Sequence, residues 1–155
     1  MEDAEASYRK AIALKPNYAE AHNNLGILLK DMGQLDHAVD IYRKAISIKP
    51  DFAIALSNLG NVYRELGTPN ESIIHHQRAI DLDPQNDFCW ASFAETVETV
   101  SFTHAEEKLY KDLVSLLEQP ALSPSLISRA ILSALRCHPD FSRLLETVGI
   151  DKGKE

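Results

Sequence analysis

Residues 38–50 read AVDIYRKAISIKP, and residues 4–16 read AEASYRKAIALKP. The same frame returns at 72–84 as SIIHHQRAIDLDP. The closing prolines, Pro16, Pro50 and Pro84, are 34 residues apart. At that offset Ala4/Ala38, Tyr8/Tyr42, Arg9/Arg43, Lys10/Lys44, Ala11/Ala45, Ile12/Ile46 and Lys15/Lys49 coincide. In the segment between, Ala19/Ala53, Ala21/Ala55, Asn24/Asn58, Leu25/Leu59, Gly26/Gly60 and Gly33/Gly67 coincide as well. A fixed period of this size marks an array whose units bury their apolar faces only against their neighbours.

Each unit reads as two helices. Ala21, Leu25, Leu28, Leu29 and Met32 recur at helical spacing, and Gly33 stops that helix because it tolerates the left-handed backbone of a C-cap. Leu35, Ala38, Val39, Tyr42, Ala45 and Ile46 form the second stripe. Pro50 ends it, since the residue before a proline avoids helical geometry. Asn17, Asp51 and Asn86 are the expected N-caps of the following helices. Small residues face each other where the two helices meet, Gly26 with Ala38 and Gly60 with Ser72.

This order of small, large and proline residues resembles the tetratricopeptide repeat. Residues 19–52 hold Leu25-Gly26, Leu29, Ala38, Tyr42, Ala45 and Pro50; residues 53–86 hold Leu56, Leu59-Gly60, Tyr63, Ser72, His76, Ala79 and Pro84. A half repeat at 1–18 precedes them with Ala4, Tyr8, Ala11 and Pro16, and a degenerate repeat at 87–120 follows with Trp90, Phe93-Ala94, Val97 and Tyr110. The resemblance implies an all-α, right-handed superhelical solenoid of antiparallel helix pairs. His22, Ser72, His76 and Glu106 depart from the pattern.

Past residue 100 the period fails while helical spacing persists. Leu109, Leu113, Leu116 and Leu117 line one face, Ser123-Pro124 reads as a helix start, and Leu126, Ile127, Ala130, Ile131, Ala134 and Leu135 form a further stripe. Residues 121–149 are expected to cap the open end of the array, with 150–155 a frayed tail. A linker into an effector domain is the other reading of this region. A chain that starts on a half repeat is expected to be a fragment of a longer protein. Its first helix is expected to leave Ala4, Tyr8, Ala11 and Ile12 open, for self-association or for docking of upstream residues.

Composition narrows the function. Sixteen Lys and Arg against 23 Asp and Glu give a net charge of −7, which argues against nucleic-acid or anionic-membrane partners. Hydrophobic content of 45% and charged content of 25% are those of an ordinary globular chain. No apolar run is long enough to span a membrane, and the acidic start is no secretory signal, so a cytoplasmic protein is expected. Cys89 and Cys137 read as small buried hydrophobes in a reducing compartment.

No phosphate loop, dinucleotide fingerprint or nucleophile elbow occurs. No histidine pair has helical zinc spacing, and adjacent His75 and His76 point about 100° apart on a helix. Each histidine reads as a solvated or interface residue. No enzyme activity, metal or cofactor is implied.

In the family the first helix of each repeat lines a concave groove. The resemblance places Glu20, Asn23, Asn24, Ile27, Lys30 and Asp31 there in the first repeat, and Ile54, Ser57, Asn58, Asn61, Arg64 and Glu65 in the second. In the third it places Phe88, Ala91, Ser92, Glu95, Glu98 and Thr99. Four asparagines thus share one face. An amide offers both donor and acceptor, so it can grip a peptide backbone without reading side chains. Asn24 and Asn58 match the asparagine-ladder position of the protein O-GlcNAc transferase group, which the stretch around Asn23-Asn24-Leu25-Gly26 most resembles.

The expected function is a protein-interaction scaffold that holds an extended peptide in the groove, with Lys30 and Arg64 pairing with acidic side chains. The alternatives are the non-catalytic recruiting arm of a larger glycosyl- or methyltransferase and a self-assembling module. A basic clamp for chaperone tails is absent, since Asn23, Ile27, Phe88 and Ser92 occupy its positions.

Overall fold

The computed structural model describes residues 2–99, 107–117, 119, 122, 123, 126, 127 and 129. Among them the regular structure is helical: α1 (Glu2–Leu14), α2 (Ala19–Asp31), α3 (Leu35–Ile48), α4 (Ala53–Glu65), α5 (Pro69–Leu82), α6 (Asp87–Thr99) and α7 (Glu107–Leu117). The chain divides into two compact units, residues 1–93 and 94–155.

The first unit is a stack of helical hairpins. Helix α2 packs on α3 and α4 on α5, while α1 joins α2 and α3 joins α4. The tight returns are glycine-dependent. Gly33 and Gly67 have φ of 73° and 75°, in the left-handed region where a Cβ is strained. Gln34 N donates to Leu29 O at 2.9 Å and Gly33 N to Lys30 O at 2.8 Å, which satisfies carbonyls that the helix end leaves open. Thr68 and Gly67 repeat both bonds on Tyr63 and Arg64, at 2.9 and 3.1 Å.

The proline returns correct the expected caps. Tyr18 N donates to Lys15 O at 3.1 Å, Phe52 N to Lys49 O at 3.1 Å and Asn86 N to Asp83 O at 3.2 Å. Each proline is therefore the second residue of a four-residue turn, where its fixed φ fits. Asn17 and Asp51 lie within the turn, and the cap positions are Tyr18 and Phe52, which make no side-chain cap bond. Their rings instead lie 4.8 Å beneath the Lys15 and Lys49 ammonium groups. Of the three expected caps Asn86 alone caps, its Oδ1 accepting from Cys89 N at 3.4 Å.

A core cluster joins Leu25, Leu29, Ala38, Val39, Tyr42, Leu59 and Val62. Tyr42 and Ala38 are fully buried. The Tyr42 ring lies on Gly26: a Cβ there would meet it at 2.7 Å, too close for any side chain. His76 takes the same place over Gly60, again at 2.7 Å. These contacts explain two glycines held inside helices at a propensity cost of about 1 kcal/mol each.

The departure at His22 also resolves. His22 Nε2 donates to Pro16 O at 2.9 Å, and Trp90 Nε1 donates to Pro84 O at 2.9 Å. His22 thus performs the bond that the indole performs two repeats later. Of the two roles expected for the histidines, solvated or interface, His22 and His76 take the buried, interhelical one, because each fills a large-residue position of the repeat.

The open stripe expected on α1 is largely covered. Tyr8 and Ile12 pack against the core cluster and Ala11 is half-buried, which leaves Ala4 exposed. In the second unit Ala94, Val97, Leu113 and Leu116 are buried, and Arg129 pairs with Glu98 at 3.1 Å. Ser123 Oγ accepts from Leu126 N at 3.3 Å, as a helix cap does. The rest of the expected cap at 121–149, the tail at 150–155, Glu106 and Cys137 lie outside the described residues.

Candidate functional site

Helices α2 and α4 lie side by side. Residues one, four, seven and eight places apart share a helix face, so the asparagines of both helices are set on the side away from Leu25 and Leu59. Asn58 Nδ2 donates to Asn23 Oδ1 at 3.0 Å, and Asn23 Nδ2 donates to Asn24 Oδ1 at 3.4 Å. Three carboxamides are thereby chained across two repeats. Asn23 and Asn58 are 5% and 9% exposed, whereas Asn24 stands in solvent.

Asn61 continues the line towards α6. Its Nδ2 donates to Ser92 Oγ at 3.3 Å, and its Oδ1 has no partner among the described residues. Three apolar side chains stand exposed on the same faces: Ile27, Ile54 and Phe88. At the far end Lys30 Nζ lies 3.6 Å from Asp31 and 3.5 Å from Glu65. Lys30 thus already has carboxylate neighbours within the chain. Arg64 is half-buried and engaged with the rest of the chain. Glu20 pairs with Lys49 at 3.5 Å.

Ser57 differs from its expected place on the groove wall. It is closed to solvent, and its Oγ lies 3.3 Å from His76 Nδ1. The reason is that α4 is covered on nearly every side, so this position turns into the α4–α5 contact. Burial holds the His76 imidazole neutral, its pKa pushed down to about 3, with Arg64 and His75 adding to the shift. Burial pushes the Cys89 thiol up to about 11, with Asp83 raising it further and a bond from Ser57 opposing. Neither group is poised for chemistry near neutral pH. Ser92 is buried beneath Asn61, and Ala91 is half-buried. Glu95, Glu98 and Thr99 belong to the second unit.

Among the described residues no group of three or more His, Cys, Asp or Glu side chains is placed to hold a metal ion. No helix among them is long and apolar enough to cross a membrane. One concavity is not evident from residue spacing: a cleft of about 450 Å³ between α1 and α3, with α2 as its floor. Its signal in the sequence is Leu29, which stands where Tyr63 stands one repeat later.

A family model described as "TPR repeat" matches residues 1–33 and 28–67, and one described as "Tetratricopeptide repeat" matches residues 55–88. No curated protein matches the chain. Among solved structures the chain is similar to a mutant O-GlcNAc transferase of Thermobaculum terrenum, with a TM-score of 0.65 and 20% identity. That likeness covers 74% of this chain but 22% of the transferase, so the chain spans about a fifth of that protein's length. It is also similar to MamA, with a TM-score of 0.60, 21% identity, and 87% of this chain against 69% of that one. With its 34-residue period, its glycine-ring contacts and its proline turns, the chain belongs to the tetratricopeptide repeat family.

Proposed function

We propose that the chain is a non-catalytic interaction scaffold that takes an extended peptide along the amide face of α2, α4 and the start of α6. The observation that carries this reading is the chained carboxamide set Asn58–Asn23–Asn24, which runs from buried to exposed. Asn23 and Asn58 hold each other in place, and Asn24 presents a pre-oriented amide to a ligand. Asn61 is fixed by its bond to Ser92, but its Oδ1 is closed to solvent, so it lines the face beside Asn24. Pre-orientation lowers the entropy cost of binding. Ile27, Ile54 and Phe88 supply the apolar contact that carboxamides lack. Lys30 and Arg64 shape the rim. The peptide backbone, common to all sequences, is the group recognised.

Linear peptides selected by display against the chain provide the test. Asn24→Ala combined with Asn58→Ala is expected to weaken a selected peptide about tenfold, as loss of one to two net hydrogen bonds requires. Helical circular dichroism is expected to persist, with stability lower by about 1–2 kcal/mol because Asn23 Oδ1 loses its partner. Unchanged affinity in a folded double variant excludes the amide face.

A second reading is favoured by the likeness to the O-GlcNAc transferase and by the matching Asn24 and Asn58. It makes this array the recruiting arm of a transferase. The parent reading frame decides it, since a glycosyltransferase domain encoded with the repeats is then expected.

A further inference from the structure

The cleft between α1 and α3 has Ile12, Leu25, Leu29 and Ile41 as apolar walls and Arg9 at its edge. Arg9 is held there by Glu5 at 2.7 Å and is 64% exposed. The chain contains its own template for what such a cleft accommodates. One period later the corresponding residues are Ile46, Leu59, Tyr63, His75 and Arg43. There the Tyr63 and His75 rings stack, with centroids 5.2 Å apart and planes 10° from parallel. Arg43 Nη2 donates to the Tyr63 hydroxyl at 2.8 Å. The two intervals share most wall residues, yet one is built around two rings and the other around two aliphatic side chains. Leu29 and Ile41 fall short of the volume the rings occupy, and a cleft of about 450 Å³ results. That volume lies within the range of ligand-binding concavities.

We propose that this cleft takes an aromatic side chain of a partner polypeptide, its ring lying over the buried Leu29 and against Ile41, where the Tyr63 ring lies one repeat on. A ring suits a slot that the fold elsewhere fills with a ring, and the Arg9 guanidinium is placed to meet its face or edge. An aliphatic side chain gains neither contact. The identity of the partner as a polypeptide rests on the interaction-scaffold reading; the site does not. Leu25 and Leu29 lie about 160° around α2 from the centre of its amide face, so the two surfaces are separate.

The test uses amide-labelled chain titrated with N-acetyl-phenylalaninamide, N-acetyl-tyrosinamide and N-acetyl-leucinamide, followed by NMR. The aromatic probes are expected to shift the Leu25, Leu29 and Ile41 amides saturably and to bind at least fivefold more tightly than the leucine probe. Leu29→Tyr supplies the ring from within. It is expected to fold, with a Tm no lower than that of the parent, and to lose at least tenfold in probe affinity. Ile41→Phe closes the same space from α3 and gives the same answer if Leu29→Tyr does not fold. Aromatic probes that bind no better than leucine, shifts confined to other residues, or a folded closed-cleft variant that binds as the parent does would each overturn the proposal. Leu29→Tyr is expected to leave peptide capture by the amide face intact. The asparagine double variant is expected to leave the cleft intact, so failure of one site is distinguishable from failure of the other.

Discussion

Tyr42→Ala is expected to lower the stability of the first unit by about 3–5 kcal/mol, the largest effect of any single truncation considered. The ring is wholly buried at the meeting of α2 and α3 and lies on the bare backbone of Gly26. Its removal opens a cavity that no neighbouring side chain on α2 can fill, because the facing residue is glycine. For a unit of this size the loss corresponds to roughly 15–30 °C in Tm. The hydroxyl contributes little. It is buried with no partner among the described residues, and burial, with Asp31 and Glu65 adding to it, keeps it protonated. Tyr42→Phe is therefore expected to change stability by less than about 1 kcal/mol. The ring–glycine contact makes a sharper claim. Gly26→Ala alone is expected to destabilise, since its methyl meets the ring at 2.7 Å. In the Tyr42→Ala background the same change is expected to be neutral or favourable, because the clash is gone and alanine is the better helix former. Chemical denaturation of the four variants measures that coupling; additive effects contradict the packing described.

Acid is expected to weaken the fold through His76. The imidazole is fully buried beneath Gly60, and burial holds its folded pKa at about 3 against 6.5 when unfolded. Between those values the unfolded chain binds a proton that the folded chain refuses, so stability rises with pH across that window. It is fully present above pH 6.5 and falls as the pH drops towards 3. From pH 7 to pH 5 the loss is about 2 kcal/mol from this residue. His75, half-buried against Tyr63 and beside Arg78 and Arg43, is shifted in the same direction and adds to the slope. His76→Phe keeps a ring over Gly60 and removes the titration. Its Tm is expected to depend less on pH than that of the parent between pH 7 and pH 5. Parallel Tm profiles for parent and variant contradict the neutral buried imidazole.

The fold was legible in the sequence because a repeat states each of its contacts more than once. Gly26 and Gly60, the proline turns and the Tyr42 stripe all recur at one offset, so each copy explains the other. Legibility failed where one copy departed from the rest. His22 and His76 carry polar atoms into large apolar positions, and residue type alone leaves a histidine open to a solvated or an interface role. What decides their burial is the carbonyl of Pro16 in one case and the surface of Gly60 in the other. The caps lie one residue beyond Asn17 and Asp51, which suit a cap by type, because the turn geometry sets the cap at Tyr18 and Phe52.

The candidate site was legible as a face but not as a set of contacts. Helical spacing puts Asn23, Asn24, Asn58 and Asn61 on one side of two adjacent helices. It does not say that Asn23 and Asn58 bond to each other, that Ser57 turns inward to His76, or that Lys30 is held by Asp31 and Glu65. Those depend on the stagger between neighbouring repeats, which is a tertiary quantity. The α1–α3 cleft was hidden for a related reason. A smaller residue at one position reads as a tolerable substitution until the ring pair of the next repeat shows how much space it leaves.

The most direct measurement of the central claim follows the side-chain amide resonances of the asparagines by NMR while a display-selected peptide is added. If the amide face holds the peptide, the exposed Asn24 side-chain signals move with the same saturation curve as the peptide's own backbone amides. Asn23 and Asn58 move less, because they remain bonded to each other. Saturable binding that leaves all four asparagine side-chain signals in place would contradict the account.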